Sequence, residues 1–127
     1  MNKYRIELSE EQMILVSNCL EDVSRFVSGQ CEMRYIIEEL LQDLPFKEQM
    51  KRRDEVESLL KQIKNVLFPD MPNNASKGYN GSVFIGDTYQ IYRTILHQLA
   101  IDNNWNNVYS SPSLPSGNMG TIKIEKI

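Results

Sequence analysis

The chain has 127 residues with a formal net charge of −3, and 41% of them are apolar and 24% charged. That length suits one domain, and the apolar supply supports a packed core rather than disorder. The acidic balance disfavours a nucleic-acid polymer as ligand, because a phosphate backbone demands a basic surface.

No apolar run approaches the roughly 18 residues of a membrane span. Met1-Asn2-Lys3-Tyr4-Arg5 leads into alternating charge instead of an apolar signal core, so the expected compartment is the cytoplasm. Cys19 and Cys31 have neither zinc-ligand spacing nor the number for a disulfide framework.

In chain order, Tyr4-Arg5-Ile6-Glu7-Leu8 alternates apolar and polar and predicts a short half-buried strand. Ser9-Glu10-Glu11-Gln12 is a capping box, which starts a helix from about Glu10 to Ser28. Met13, Val16, Leu20, Val23 and Val27 form its expected buried stripe, widened by Ile14, Cys19 and Phe26. Gly29 is its expected stop. Cys31 to Gln42 reads as a second helix, ended by Pro45. Lys47 to Leu67 reads as a third: Lys47 to Glu57 is a charged, solvated stretch, while Val56, Leu59, Leu60, Ile63, Val66 and Leu67 fall at core spacing.

Pro69 to Ser82 is rich in Pro, Asn and Gly and reads as a loop. Phe84 to Asp102 predicts a fourth helix with Ile85, Tyr89, Tyr92, Leu96 and Leu99 on one face. Asn103 to Gly120 is a second polar loop, and unstructured loops of such length inside small domains tend to be functional. Thr121 to Ile127 alternates again and predicts a closing strand. The expected fold class is therefore α+β: a single domain whose N- and C-terminal strands form a small antiparallel sheet packed with three to four helices. A two-stranded ribbon is marginal by itself, so a third strand around Val108-Tyr109-Ser110 or a second subunit is expected to support it.

Chemistry-bearing patterns are few. There is one histidine, His97, and no nucleophile elbow or Cys–His neighbourhood supports a catalytic triad. Gly78-Tyr79-Asn80-Gly81 lacks the Lys-Ser/Thr of a phosphate loop. Glu38, Glu39 and Asp43 share a helix without His or Cys, which reads as a solvated face and not as a metal site. No catalytic residue, metal or cofactor is expected.

The fourth helix carries more. Gly86, Gln90, Arg93 and His97 share one stripe beside its apolar face. An arginine fork and an imidazole four residues apart suit an anion, and Gly86 permits close approach. The competing reading is a polar flank paired with a neighbouring carboxylate. Ser110, Ser111, Ser116, Gly117 and Asn118 offer hydroxyls, an amide and backbone N–H groups suited to a phosphate or ribose. Phe84 and Tyr109 are rings on which a base would stack, with Tyr79 and Trp105 as further candidates. The expectation is that Arg93, with His97 as lesser partner, faces a pocket closed by the Ser110–Gly120 loop. The first-helix stripe carries more apolar positions than one face buries, so a homo-oligomer built on that seam is also expected.

Four stretches taken together resemble a known family. They are Tyr4-Arg5-Ile6-Glu7-Leu8-Ser9-Glu10-Glu11-Gln12, Arg25-Phe26-Val27-Ser28-Gly29-Gln30, Phe84-Ile85-Gly86-Asp87-Thr88-Tyr89-Gln90-Ile91-Tyr92-Arg93 with Leu96-His97, and Asn107-Val108-Tyr109-Ser110 through Gly120-Thr121-Ile122-Lys123-Ile124. Their order is similar to that in small phage and prophage accessory proteins of the first-described Thoeris anti-defence family. The resemblance runs over most of the chain but does not extend to Lys47–Glu57.

It implies a sponge without enzymatic activity. Such a protein binds a cyclic ADP-ribose isomer made by a bacterial immune TIR enzyme, leaves it uncleaved, and so keeps the defence effector inactive in the host bacterial cytoplasm. The resemblance further implies dimer-based assembly and sequestration of cyclic oligonucleotides at separate sites. The alternative from the residues is a small helical protein–protein interaction module with no nucleotide ligand.

Overall fold

Ser9 begins the ordered helical part of the chain. In a computed structural model, which describes residues 2–120 and 122–127, its hydroxyl accepts from Gln12 N at 3.1 Å while its own N–H donates to Gln12 Oε1 at 2.8 Å. This is the capping box expected, and it opens α1, Glu10–Val27. At the far end Gly29 adopts φ +98° and Gln30 N returns to Arg25 O at 3.0 Å, a left-handed exit that suits glycine.

Three further helices follow: α2 (Arg34–Leu41), α3 (Phe46–Leu67) and α4 (Val83–Asp102), then a single 3₁₀ turn at Val108–Ser110. α2 starts later than its apolar pattern suggests, because Cys31 and Met33 take positive φ of 51° and 48°. Asp22 of α1 supplies its cap. One carboxylate oxygen accepts from Tyr35 N at 3.2 Å and the other from Ile36 N at 2.9 Å, where a negative charge also meets the positive end of the helix dipole. Ser82 caps α4, accepting from Ile85 N at 3.1 Å.

The α+β expectation is overturned: the structure is all-helical, with no strand among the described residues. Tyr4 to Leu8 has no regular structure and pairs with no strand among the described residues. Tyr4 and Ile6 are 86% and 81% exposed, and Ile127 at the other terminus is 92% exposed. Alternation makes a segment suited to a sheet, but a strand also needs an edge to pair with. The third candidate edge, Val108–Ser110, is the 3₁₀ turn. Thr121 lies outside the described residues.

The core sits on α4. Ile85, Tyr92, Ile95, Leu96, Leu99 and Ala100 are buried there, against α1. α1 meets them with an unexpected face. Ser17, Glu21, Asp22 and Ser24 are its buried residues, whereas Val16 and Val23 of the expected stripe are exposed. The hydroxyls lose little on burial because the chain satisfies them: Ser17 Oγ donates to Met13 O at 2.9 Å, and Ser24 Oγ to Ile85 O of α4 at 3.4 Å. α3 departs likewise. Leu60 is buried, but Leu59 and Val66 are 57% and 79% exposed, and Ile63 and Leu67 are also exposed.

Candidate functional site

The α4 stripe and the polar loop do meet, and they meet directly. Arg93 is buried and its Nη2 donates to Val108 O at 3.2 Å and Ser111 O at 3.4 Å, while Nε has no partner among the described residues. Its guanidinium lies 5.0 Å from the Tyr109 ring centroid and 5.9 Å from that of Tyr89, within cation–π range. His97 Nδ1 is 2.9 Å from Tyr109 O.

Further along the helix, Ser116 Oγ donates to Gly86 O at 2.7 Å, and Asp87 Oδ1 accepts from Asn118 N at 2.7 Å and Met119 N at 3.1 Å. Gly86 does permit close approach, but of the chain itself: a Cβ there would sit 2.5 Å from Gly117 N. Gln90 is buried in the same stripe, and its carbonyl accepts from Thr94 Oγ1. Phe84 is half-exposed at the start of α4. Ser110 Oγ bonds Trp105 O and Asn107 N, closing the 3₁₀ turn. So the loop lies on the stripe at two places, Arg93 and His97 meeting Val108, Tyr109 and Ser111, and Gly86 and Asp87 meeting Ser116, Gly117 and Asn118, with its polar groups engaged there, where a closed pocket was expected.

Glu21 joins this assembly from α1. It is 1% exposed, Tyr109 donates to its Oε1 at 2.9 Å, and Arg25 pairs with the same oxygen at 3.3 Å. Oε2 has no partner among the described residues. Burial raises the Tyr109, Tyr35 and Tyr92 phenols above their ordinary value, and the Glu21 carboxylate pushes each further.

A cavity lies elsewhere, between α2, α3 and the turn that joins α1 to α2. It measures about 510 Å³. Its walls carry four cations (Arg34, Arg53, Lys61, Lys64) and three carboxylates (Glu32, Glu38, Glu57), with Cys31, Ile37, Val56 and Leu60 between them. Arg34 is paired with Glu38 at 3.3 Å. The ion pairs among the described residues are Arg25–Glu21, Arg34–Glu38 and Arg52–Glu48, so Arg53, Lys61 and Lys64 have no carboxylate partner.

Lys64 is 3% exposed, and its ammonium donates to Asn73 O at 2.9 Å and to Ala75 O. Two carbonyl dipoles solvate it without neutralising it. Burial raises the Cys31 thiol, and the nearby Lys64 charge opposes that rise. The wall also holds strain: Cys31 is a non-glycine residue in the left-handed region, at roughly 1–3 kcal/mol, and such strain gathers at functional sites.

Sequence reasoning missed this cavity. Arg53 belongs to the charged stretch Lys47–Glu57 that reads as solvated, and Lys61 and Lys64 stand between the core-spaced apolar residues of the same helix. The available signal was spacing: Arg53, Val56, Leu60 and Lys64 recur at intervals of three or four residues, one stripe of α3, with Glu57 and Lys61 beside it. No group of three or more His, Cys, Asp or Glu residues suited to a metal ion occurs among the described residues, and no helix is long and apolar enough to cross a membrane. No family model matches the chain, and neither does any curated protein or solved structure.

Proposed function

We propose that the protein binds and holds a small phosphorylated signal without cleaving it: a sponge for a cyclic ADP-ribose isomer that keeps a bacterial Thoeris effector inactive. The observation that carries the reading is the α2–α3 cavity, with Arg53, Lys61 and Lys64 around it and no carboxylate paired to any of them. Its volume falls in the range of small-ligand sites. A pyrophosphate would supply the missing counter-charge, with Arg53 as the planar fork and the lysines as point charges. Glu32 and Glu57 would accept from ribose hydroxyls. Under this reading the Arg93 stripe braces the loop rather than holding the ligand.

The test is retention. The purified protein is incubated with cyclic ADP-ribose isomers and cyclic dinucleotides, desalted and heated, and the supernatant is chromatographed. Intact ligand is expected from the wild type. Charge-assisted hydrogen bonds are worth roughly 1.5–3 kcal/mol each, so Arg53→Gln with Lys61→Gln should weaken binding at least about tenfold with an unchanged circular dichroism spectrum. Altered products would indicate an enzyme. Failure to retain any of them would favour the interaction module, which the exposed apolar residues of α1 and α3 support.

A further inference from the structure

A second concavity, of about 330 Å³, opens where the turn after α4 meets α1 and the first turn of α2. Its chemistry is the opposite of the α2–α3 cavity. No charged side chain lines it. Three aromatic rings (Tyr35, Trp105, Tyr109) and three carboxamides (Asn18, Asn106, Asn107) do, with Leu96 at its floor.

The walls are held in place. The Tyr109 hydroxyl is tied to Glu21 at 2.9 Å, its backbone carbonyl meets His97, and Arg93 stacks on its ring. Tyr35 is fixed at the capped start of α2, where Asp22 takes its N–H. Trp105 N donates to Ala100 O at 2.9 Å and its carbonyl accepts from Ser110 Oγ. The Tyr109 ring is thus preorganised, and the backbone that carries Tyr35 and Trp105 is fixed, which lowers the ordering cost of binding. Of the carboxamides, Asn107 is committed, its Oδ1 accepting from Tyr109 N at 2.9 Å. Asn18 and Asn106 are not spent in this way.

We infer that the Trp105 cleft is a binding site for an uncharged purine nucleoside, recognised by stacking and by paired amide hydrogen bonds. Every base presents a π-face to an aromatic ring, and stacking on protein rings is an established source of nucleoside affinity. A carboxamide offers one donor and one acceptor side by side, which matches the donor–acceptor edge of adenine. With no cation on the wall, a phosphate gains nothing there. The cleft volume is at the lower end for ligand sites, enough for one nucleoside and too little for a dinucleotide. This inference does not rest on the α2–α3 cavity.

Trp105 is the chain's one tryptophan, so its fluorescence reports this cleft alone. Titration with adenosine is expected to quench it saturably. AMP should bind within about twofold of adenosine, and glucose should leave the signal unchanged. Asn18→Ala should weaken adenosine about tenfold, the loss of one two-point amide contact, with the folded spectrum retained. Arg53→Gln with Lys61→Gln should leave adenosine quenching intact, which separates the two sites. Absence of saturable quenching, quenching by glucose instead, a requirement for the phosphate, or an Asn18→Ala affinity equal to wild type would each overturn the assignment.

Discussion

Gly86 and Gly78 show what a single side chain decides in this molecule. At Gly86 a Cβ would meet Gly117 N at 2.5 Å and Gly117 Cα at 2.9 Å, both backbone atoms of the loop laid on α4. Backbone cannot swing aside as a side-chain tip can, so Gly86→Ala must lift the loop or shift the helix. At Gly78 nothing lies within 4 Å and φ is ordinary. We expect Gly86→Ala to cost about 1–3 kcal/mol, the range for overpacking, and Gly78→Ala to be neutral or to stabilise by up to about 1 kcal/mol through the unfolded chain. Urea unfolding of both variants checks this, and equal midpoints would contradict the direct seating of the loop. Arg93 illustrates the limit of reading single residues. Its position beside the polar loop follows from the helical wheel, but whether its donors meet a ligand or main-chain carbonyls depends on the path of a loop that has no periodic signal.

At the scale of elements, three of the helices were legible almost to the residue, because their ends are written in short-range chemistry: Ser9 with Gln12, Gly29, Pro45 and Ser82. The start of α2 was not. Met33 has no capping side chain, and the cap comes from Asp22 on another helix. The buried face of α4 was legible, since Ile85, Tyr92, Leu96 and Leu99 of the expected face are buried, but those of α1 and α3 were not. On α1 the middle of the apolar stripe, Val16 and Val23, is exposed while Ser17, Glu21, Asp22 and Ser24 are buried, since intrahelical bonds and the cross-helix cap on α2 offset their burial cost. The two terminal segments alternate as strands do, yet find no edge within the described residues. The Asp22 cap can be tested by substitution. Asp22→Ala leaves the N–H groups of Tyr35 and Ile36 without their partner and should cost about 0.5–2 kcal/mol, the range for cap removal. Because α2 carries Arg34 into one cavity and Tyr35 into the other, the same variant should weaken ligands of both sites together. A loss of stability with both affinities intact would show that the cap holds the helix without holding the sites.

For the whole molecule, accessible area is the informative quantity. The chain exposes 9412 Å², whereas a compact monomer of 14.8 kDa exposes about 7,000 Å². Part of the difference of roughly 2,400 Å² belongs to the terminal segments, with Tyr4, Ile6, Leu8 and Ile127 open to solvent. Part belongs to α1 and α3. Val16 and Val23 lie seven residues apart with the exposed Cys19 between them, and Leu15 flanks them. This is a helical seam with no partner in its own chain, and Leu59, Ile63 and Val66 make a second one on α3. Were the whole excess covered by an identical chain, a dimer would bury up to about 4,800 Å² in total, and the α1 and α3 share alone is part of that sum. A homo-oligomer is thus the economical way for these faces to leave water, and α1 is the element we expect at its centre. Light scattering at micromolar concentration should give a mass at a multiple of 14.8 kDa. Leu15→Glu with Val23→Glu should reduce it toward one chain, because charged side chains inside an apolar seam meet no counter-charge there. The substituted positions are exposed in the single chain, so its helical spectrum should survive. A monodisperse mass of one chain for the wild type, constant across concentrations, would mean that these faces are covered by another partner or by none.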